Sequence, residues 1–402
     1  MDLAQFSPTK TGELRKYYRL ESGKEGWLFI PDEMPPRWEF PARLWPLLSE
    51  ATTALGTLNG IGQTLPNPDL LLRPLQSREA ITSSKIEGTY VTPRQLLLYE
   101  LDPTEPTEAN EEAASWREVF NYNLALRSGC QMLTGLPLAS RLILSMHETL
   151  MTGVRGQDKS PGRYREIQVQ IGASGKYVPP PHHEIARLMG NLEKFIHESS
   201  EQFDPLVACY LTHYQFEAIH PFVDGNGRVG RALLALMIYQ KLKHSMPWLY
   251  MSAFFEKYKD EYTDNLFRIS THGDWERWIE YCLHGTIVQS NDAIVRCHRF
   301  NQVRKQFHET CSAPTPRTHE IIEGLFDTPV VTIPYLKTRF GVHYQTAQKD
   351  VEMLLKLGIL KDVPNRYPRS FYSPELMRIA YSDSLEEIDL ENTDELDEAH
   401  SE

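Results

Sequence analysis

The sequence predicts a mainly α protein. A helical body reaches to about residue 312 and carries one inserted β-hairpin, and a small domain with the layout of a winged helix-turn-helix follows. Three observations carry this prediction. Apolar residues recur at helical spacing through much of residues 41–300, as in ARLWPLLSEATTALGTLNG and LILSMHETLM. Residues 160–181 (SPGRYREIQVQIGASGKYVPPP) alternate polar and apolar side chains around Gly172-Ala173-Ser174-Gly175, as a hairpin would. After a break at SAPTPRTHE (312–320), three helical patterns precede two short strand patterns around an Asn/Arg/Pro turn.

Taken in order, residues 1–40 are mixed, with a strand expected at GWLFIP. A helix begins near Pro41, and Pro66 and Pro68 interrupt it. The next runs from Asp69 to about Glu87, where Gly88 fits a helix end. Another starts after Thr92-Pro93, and PTEPTEA (103–109) reads as a loop. Helices are expected at Asn110–Ser128, Ala139–Met151, His183–Ser199, Pro205–Ala218, Arg228–Lys243, Lys257–Ile269 and Trp275–Phe300. Beyond the break come a helix at Thr318–Leu325, the apolar run VVTIPYL, a helix ending near Phe340, a turn at Gly341-Val342 and a helix at Gln345–Leu357. The expected division is an N-terminal region (1–105), a central domain (106–312), the winged domain (313–375) and an acidic, disordered tail (376–402).

A chain of 402 residues has room for two or three such units. No apolar run approaches ~18 residues, so no membrane partner is expected. The N-terminal stretch lacks the apolar segment of a secretory signal. Five cysteines (Cys130, Cys209, Cys282, Cys297, Cys311), scattered and without a CxxC, fit reduced thiols in a cytoplasmic protein and speak against zinc. The net charge of −12 is concentrated at one end: residues 379–402 hold ten acidic residues and no Lys or Arg, which leaves residues 1–378 near −2.

Residues 220–231, HPFVDGNGRVGR, are the most informative stretch. Gly225, Gly227 and Gly230 weaken a helix and give a core nothing to pack, but they let a bulky anion approach the backbone. Gly225-Asn226-Gly227 can turn successive N–H groups into a concave nest, and the helix that follows points its unpaired N–H groups the same way. That junction is a phosphate site. Arg228 and Arg231, three apart, can both fork onto phosphate oxygens, so a nucleotide di- or triphosphate is implied. Asp224 beside phosphates calls for a cation, and Mg2+ commonly takes one carboxylate plus phosphate oxygens. His220 can be neutral near pH 7 and accept a proton. A hydroxyl attacking a phosphoryl group is the implied chemistry.

HPFVDGNGRVGR matches the HPFxDGNGRxGR signature of the Fic family at every defined position, and the chain resembles that family over roughly residues 40–300. The resemblance implies a Fic helical-bundle core and an enzyme that transfers AMP from ATP to a hydroxyl of a target protein. It implies His220 as base, Asp224 holding Mg2+ on the α- and β-phosphates, Asn226 with the loop amides at the α-phosphate, Arg228 at the β-phosphate and Arg231 at the γ-phosphate. Phe222 is then the buried anchor of the loop. The hairpin at 167–178 resembles the family's flap, which pairs with an extended target segment; Val169, Ile171 and Tyr177 are its candidate contacts, Tyr177 foremost. Residues 83–88 (SSKIEG) match the family's inhibitory pattern [S/T]xxxE[G/N] at Ser83, Glu87 and Gly88. Glu87 would then pair with Arg231 and displace the γ-phosphate.

Other readings remain open at this point. The chain could be a DNA-binding regulator that senses nucleotide, an enzyme using another nucleotide donor, or one that removes AMP. The target protein could be the chain itself. Segment 315–373 carries eight Lys/Arg against six Asp/Glu, a weak DNA footprint, with Gln345, Thr346, Gln348 and Lys349 on its candidate recognition helix. Otherwise it serves docking or a homodimer. His182 and His183 read as a helix start, and His147 as a packed core histidine. Trp275, Trp278, Tyr258 and Tyr262 read as core.

Overall fold

The computed structural model describes residues 1, 3–6, 11–19, 24–65, 68–103, 111–154, 160–172, 175–199, 202–311, 315–364 and 367–382. An antiparallel pair opens the chain: β1 (Gly12–Arg19) and β2 (Lys24–Pro31), in register from Gly12↔Pro31 to Arg19↔Lys24. The sequence reading expected only β2. Charged residues in GELRKYYR hide the alternation of β1, which is a half-exposed strand.

The helical body follows as α1 (Trp45–Thr64), α2 (Asp69–Ile86), α3 (Pro93–Leu101), α4 (Glu111–Met132), α5 (Ser140–Met151), α6 (Ile185–Glu198), α7 (Pro205–Ile219), α8 (Asn226–Lys241), α9 (Ser252–Lys257), α10 (Lys259–His272) and α11 (Trp275–Thr310). Local chemistry sets several of the ends. Thr92 and Gln95 form a reciprocal capping box at α3, and the Asp204 carboxylate accepts from Leu206 N–H at the start of α7, with Pro205 in its first turn. His182 and His183 open the turn into α6, as expected.

α7 and α8 are apolar nearly all round, so they are the central pair of the bundle. Their neighbours show one apolar face each, as in α6, which buries Ile185, Leu188, Met189, Leu192, Phe195 and Ile196. Trp275, Trp278 and Tyr262 are core, whereas Tyr258 is 39% exposed between α9 and α10. α11 runs ten residues past its expected end at Phe300, with Val303 continuing the buried stripe.

The C-terminal unit is α12 (Pro316–Asp327), β3 (Val330–Thr332), α13 (Ile333–Phe340), α14 (Tyr344–Lys356), β4 (Lys361–Asp362) and β5 (Ser370–Tyr372), with the strands in the antiparallel order β3-β5-β4. Gly341 closes α13 at φ 61°, a backbone angle that favours glycine. One buried apolar cluster runs from Leu28 through the bundle into this unit. Arg304 and His308 of α11 share the Glu323 carboxylate of α12, and His319 stacks on His308; with the Arg304 guanidinium on both carboxylate oxygens, this is an ion-pair network rather than a metal centre.

The expected tail boundary needs correction. Residues 376–381 belong to α15 (Pro374–Tyr381), which packs on α2 and α11 through Leu376, Ile379 and Ala380. Fully buried Arg296, paired with Asp292, donates to the Ile379 and Ser382 carbonyls and caps that helix. Residues 383–402, most of the expected tail, lie outside the described residues, as do 104–109 of the expected loop, Asn110 at the expected start of the next helix, and the tips of the two expected hairpin turns at 173–174 and 365–366. Among the described residues, no helix is long and apolar enough to cross a membrane.

Candidate active site

The HPFVDGNGRVGR segment is the connection between α7 and α8. His220 ends α7 in the left-handed region (φ 50°), an uncommon conformation for a non-glycine residue. Gly225, at φ 77°, starts α8, and a Cβ there would press on Met151 Sδ and Leu150. Between them the loop is closed by Asn226. Its side-chain amide donates to the Phe222 carbonyl at 2.9 Å, and its oxygen accepts from Phe222 N–H at 2.8 Å. Asn226 is 2% exposed, so its side chain is a loop lock. The amide oxygen and one of its two N–H groups are thus committed to closing the loop, where the sequence reading expected Asn226 at a phosphate. Phe222 is fully buried, as expected of an anchor.

Gly230 also differs from expectation. A Cβ there would meet Glu217 Oε1 at 2.2 Å and Phe216 Cδ1 at 3.0 Å, so its missing side chain serves the close crossing of α7 and α8 rather than a nucleotide. A Cβ on Gly227 would lie 2.2 Å from Glu87 Oε1 and 2.8 Å from Arg231 Nη1, so the missing side chain is what lets those two groups meet over the backbone.

Glu87 and Arg231 meet directly. Arg231 donates from Nη2 to Glu87 Oε1 at 2.7 Å and to the Ser83 carbonyl at 2.9 Å, and from Nε to Ser83 Oγ at 2.8 Å. Ser83 is fully buried and the Arg231 side chain is 2% exposed, while the Glu87 side chain, at the C-cap of α2, is 40% exposed. Burial pushes the Glu87 carboxyl up, but Arg231, helped by Arg228 and His220, outweighs it and holds the group below its ordinary value. Lys259 anchors the end of α2 by donating to the Ile86 carbonyl at 2.6 Å.

Arg228 is 6% exposed. Its Nη1 donates to Glu118 Oε2 at 3.3 Å, the same oxygen that accepts from the Thr89 hydroxyl at 2.9 Å, and its Nη2 lies 3.7 Å from Asp224 Oδ1. Its Nε is buried without a partner, and so is His220 Nδ1. Asp224 keeps its side chain 37% exposed, with Oδ1 accepting from Gly225 N–H at 2.7 Å. Burial, then the charge of Arg165, push the His220 imidazole down to about 4, so it is neutral at pH 7; Glu87 and Asp224 pull the other way.

Four further contributors are not among the site residues the sequence points to, although one of them, His147, is the packed core histidine it predicts. His147 is fully buried, and its ring stacks on Phe222 at 3.7 Å and 8°. Nδ1 accepts from Gly162 N–H at 3.0 Å, which fixes the proton on Nε2, the donor to the Asp224 carbonyl at 3.1 Å. Burial holds this imidazole down at about 4. Glu217 stands behind Arg231 with Oε1 buried and unpartnered, its carboxyl pushed up to about 7 by burial against the pull of Arg231. Glu118 and Arg165 complete the set. His147 alone had a signal, a histidine in an otherwise apolar helical pattern.

The hairpin closes through one bridge, Ile171↔Tyr177, with N–H···O distances of 2.9 and 3.2 Å. Val169 and Ile171 are half-buried. Tyr177 is 8% exposed, packs on Phe29 and donates its hydroxyl to the Ala218 carbonyl at 3.0 Å. That corrects its expected role: the ring faces the bundle and ties the hairpin to α7.

Residues 45–131 match the Fic/DOC family N-terminal region, and residues 137–238 match the Fic/DOC family domain. A curated relative from Drosophila grimshawi, protein adenylyltransferase Fic, is 30% identical over 123 residues, which is 30% of this chain and 24% of that protein. The chain thus matches about a quarter of that relative's length. Among solved structures, a Fic family protein from Desulfovibrio desulfuricans aligns with a TM-score of 0.54 at 20% identity, covering 84% of this chain and 98% of that one. Fic-1 from C. elegans aligns with a TM-score of 0.50 at 21% identity, covering 63% and 74%. Residues 45–131 and 137–238 are therefore similar to the Fic/DOC family, its N-terminal region followed by its core domain, and the helical fold matches that of solved Fic proteins.

Proposed function

We propose that this chain transfers AMP from ATP to a hydroxyl side chain of a target protein, and that Glu87 holds the reaction off. The observation that carries the reading is the pairing of Glu87 with Arg231 over Gly227, at the nest where α8 begins. A triphosphate fits that place: the Cβ-free space at Gly227, the unpartnered Arg228 Nε and the N–H groups opening α8 form one anion cradle. With Glu87 in it, the cradle is occupied by the wrong negative group. The adenylyltransferase relatives support the reaction class.

The step is a displacement at the α-phosphorus. The target oxygen bonds to phosphorus, the bond to the β-phosphate oxygen breaks, and diphosphate leaves. The hydroxyl proton goes to the neutral His220 imidazole. Arg228 and Arg231 hold the phosphates in line and take up charge that grows on the leaving group. The exposed Asp224 carboxylate suits a hard cation beside phosphates, and Mg2+ held there would screen their charge. Val169 and Ile171, on the hairpin, remain the candidate contacts for an extended target segment.

The test is mass spectrometry of full-length Glu87→Gly protein with ATP and Mg2+. An AMP adduct is expected, raised at least tenfold over the parent and lost in the Glu87→Gly, His220→Ala double variant. No gain on Glu87→Gly would sink the inhibition, and an adduct with UTP or GTP instead would change the donor.

A second reading concerns the C-terminal unit. Its helices α12–α14 and the sheet β3-β5-β4 fit a winged helix-turn-helix, with exposed Gln345 and Lys349 on α14. DNA binding there would give a gel shift that weakens steeply with salt.

A further inference from the structure

We propose that Arg165 is the positioning residue of this reaction, a single buried guanidinium that fastens both ends of the hairpin to the backbone of His220. The inference rests on His220 acting as the base.

Arg165 is 2% exposed. Nε donates to the His220 carbonyl at 2.9 Å, Nη1 to the Ile167 carbonyl at 2.9 Å and Nη2 to the Pro180 carbonyl at 2.6 Å. Its own backbone N–H donates to the Pro221 carbonyl at 2.9 Å. Ile167 and Pro180 flank the hairpin on its two sides. The three side-chain bonds therefore join the incoming strand, the outgoing strand and the residue that receives the proton.

No carboxylate among the described residues pairs with this cation, and burial pushes its guanidinium down to about 10. A buried charge satisfied only by carbonyl dipoles is an expensive arrangement, and a neutral side chain would serve packing better. Two properties justify a guanidinium here. Its planar fork reaches three carbonyls at fixed angles, which an ammonium on a flexible stem does not reproduce. It also pins His220 in the left-handed conformation, where the base would otherwise relax.

Position and charge have separate consequences. The fork sets the distance between the hairpin, where the target chain lies, and the imidazole. The charge adds to burial, the larger cause, in keeping that imidazole unprotonated. The charged groups acting on His220 are Arg165, which favours the neutral ring, and Glu87 and Asp224, which oppose it. Removing Glu87 from the site on activation strengthens the balance in favour of the free base.

Two substitutions in full-length Glu87→Gly protein separate these effects. Arg165→Lys keeps the charge and loses the fork; Arg165→Met loses both. The His220 ring is titrated by NMR on histidine-labelled protein, ATP binding is measured by calorimetry, and AMP incorporation is followed from about pH 3 to 9, which spans the His220 titration near 4. For Arg165→Lys, the expected result is an ATP Kd within twofold of the parent, an unmoved His220 titration and AMP incorporation down at least tenfold. For Arg165→Met, the His220 titration and the acid limb of the rate profile both rise by about one pH unit. Lysine supporting full transfer overturns the positioning role, as does transfer falling only in step with ATP affinity. A His220 titration unmoved in a folded Arg165→Met protein overturns the charge effect. Should Arg165→Met not fold, the lysine variant decides alone. If the Glu87→Gly parent transfers nothing from any nucleotide, the adenylylation reading fails, while the NMR arm still tests the hold of Arg165 on His220.

Discussion

Arg231 lies between two carboxylates of opposite character. Glu87, in front, is ionised and paired; Glu217, behind, is held up at about 7 by burial. The folded protein therefore keeps a proton on Glu217 between pH 4.5 and 7 that the unfolded chain gives up, so this group's stabilisation is lost as pH rises through that window. His147 and His220, near 4, and His213, a buried residue of α7 hydrogen-bonded through Nε2 to the Tyr262 hydroxyl and held near 3 by burial, act with the other sign: the unfolded chain takes up their protons below about 6.5, so their contribution grows as pH rises toward 6.5. Glu217→Gln removes the falling branch alone. Its stability relative to wild type should rise between pH 4.5 and 7.5, by up to about 3 kcal/mol, in urea titrations. A difference that stays flat across that range refutes this assignment. His147→Phe keeps the stacking on Phe222 but leaves the Gly162 N–H and the Asp224 carbonyl unpaired, and should cost about 2–4 kcal/mol by denaturant melt. The residues of the α7–α8 loop were legible in the sequence as a candidate site because glycine, arginine and histidine at those spacings have few other uses. Arg165, Glu118 and Glu217 were not, because a charged residue in an alternating or helical pattern looks the same whether it faces water or a buried carbonyl.

At the level of elements, the crossing of α7 and α8 depends on Gly230, which brings the base and the nest within one short loop. In Gly230→Ala the Glu217 side chain can swing aside but fully buried Phe216 cannot. Overpacking of this kind costs about 1–3 kcal/mol, and the helix propensity of alanine returns at most about 1. A lower Tm is the expected outcome; an unchanged or raised Tm would mean that the crossing has slack. Most helix starts were legible to within a few residues because burial on one face imposes period 3.6, but the short α9 and the last ten residues of α11 were not. The hairpin was legible as alternation, but not in its depth: periodicity says that Tyr177 lies on one face, and only the packing of β2 beside Val178 makes that face the inner one. β1 escaped notice for a related reason, since a strand paired on one side and charged on the other barely alternates.

For the whole molecule, the informative mismatch is α15. Acidic composition marked the chain as a tail from residue 376, yet Leu376, Ile379 and Ala380 complete the cover over α2 and α11. Arg296→Met should leave the Ile379 and Ser382 carbonyls without their donor and lower Tm, with α15 the first segment to gain hydrogen exchange. Exchange that is uniform across the bundle would speak against a local role. α2 meets α12 and α15 along its length, Arg73 pairs with Asp327 at 2.6 Å, and its far end holds Ser83 and Glu87 against Arg231. One helix, with Pro74 inside it, thus has a handle in the C-terminal unit and a tip against Arg231. Any partner of that unit whose affinity depends on the position of α2 enters the same equilibrium as a ligand that displaces Glu87, and whatever factor it imposes on that ligand's affinity the ligand must impose on it in return.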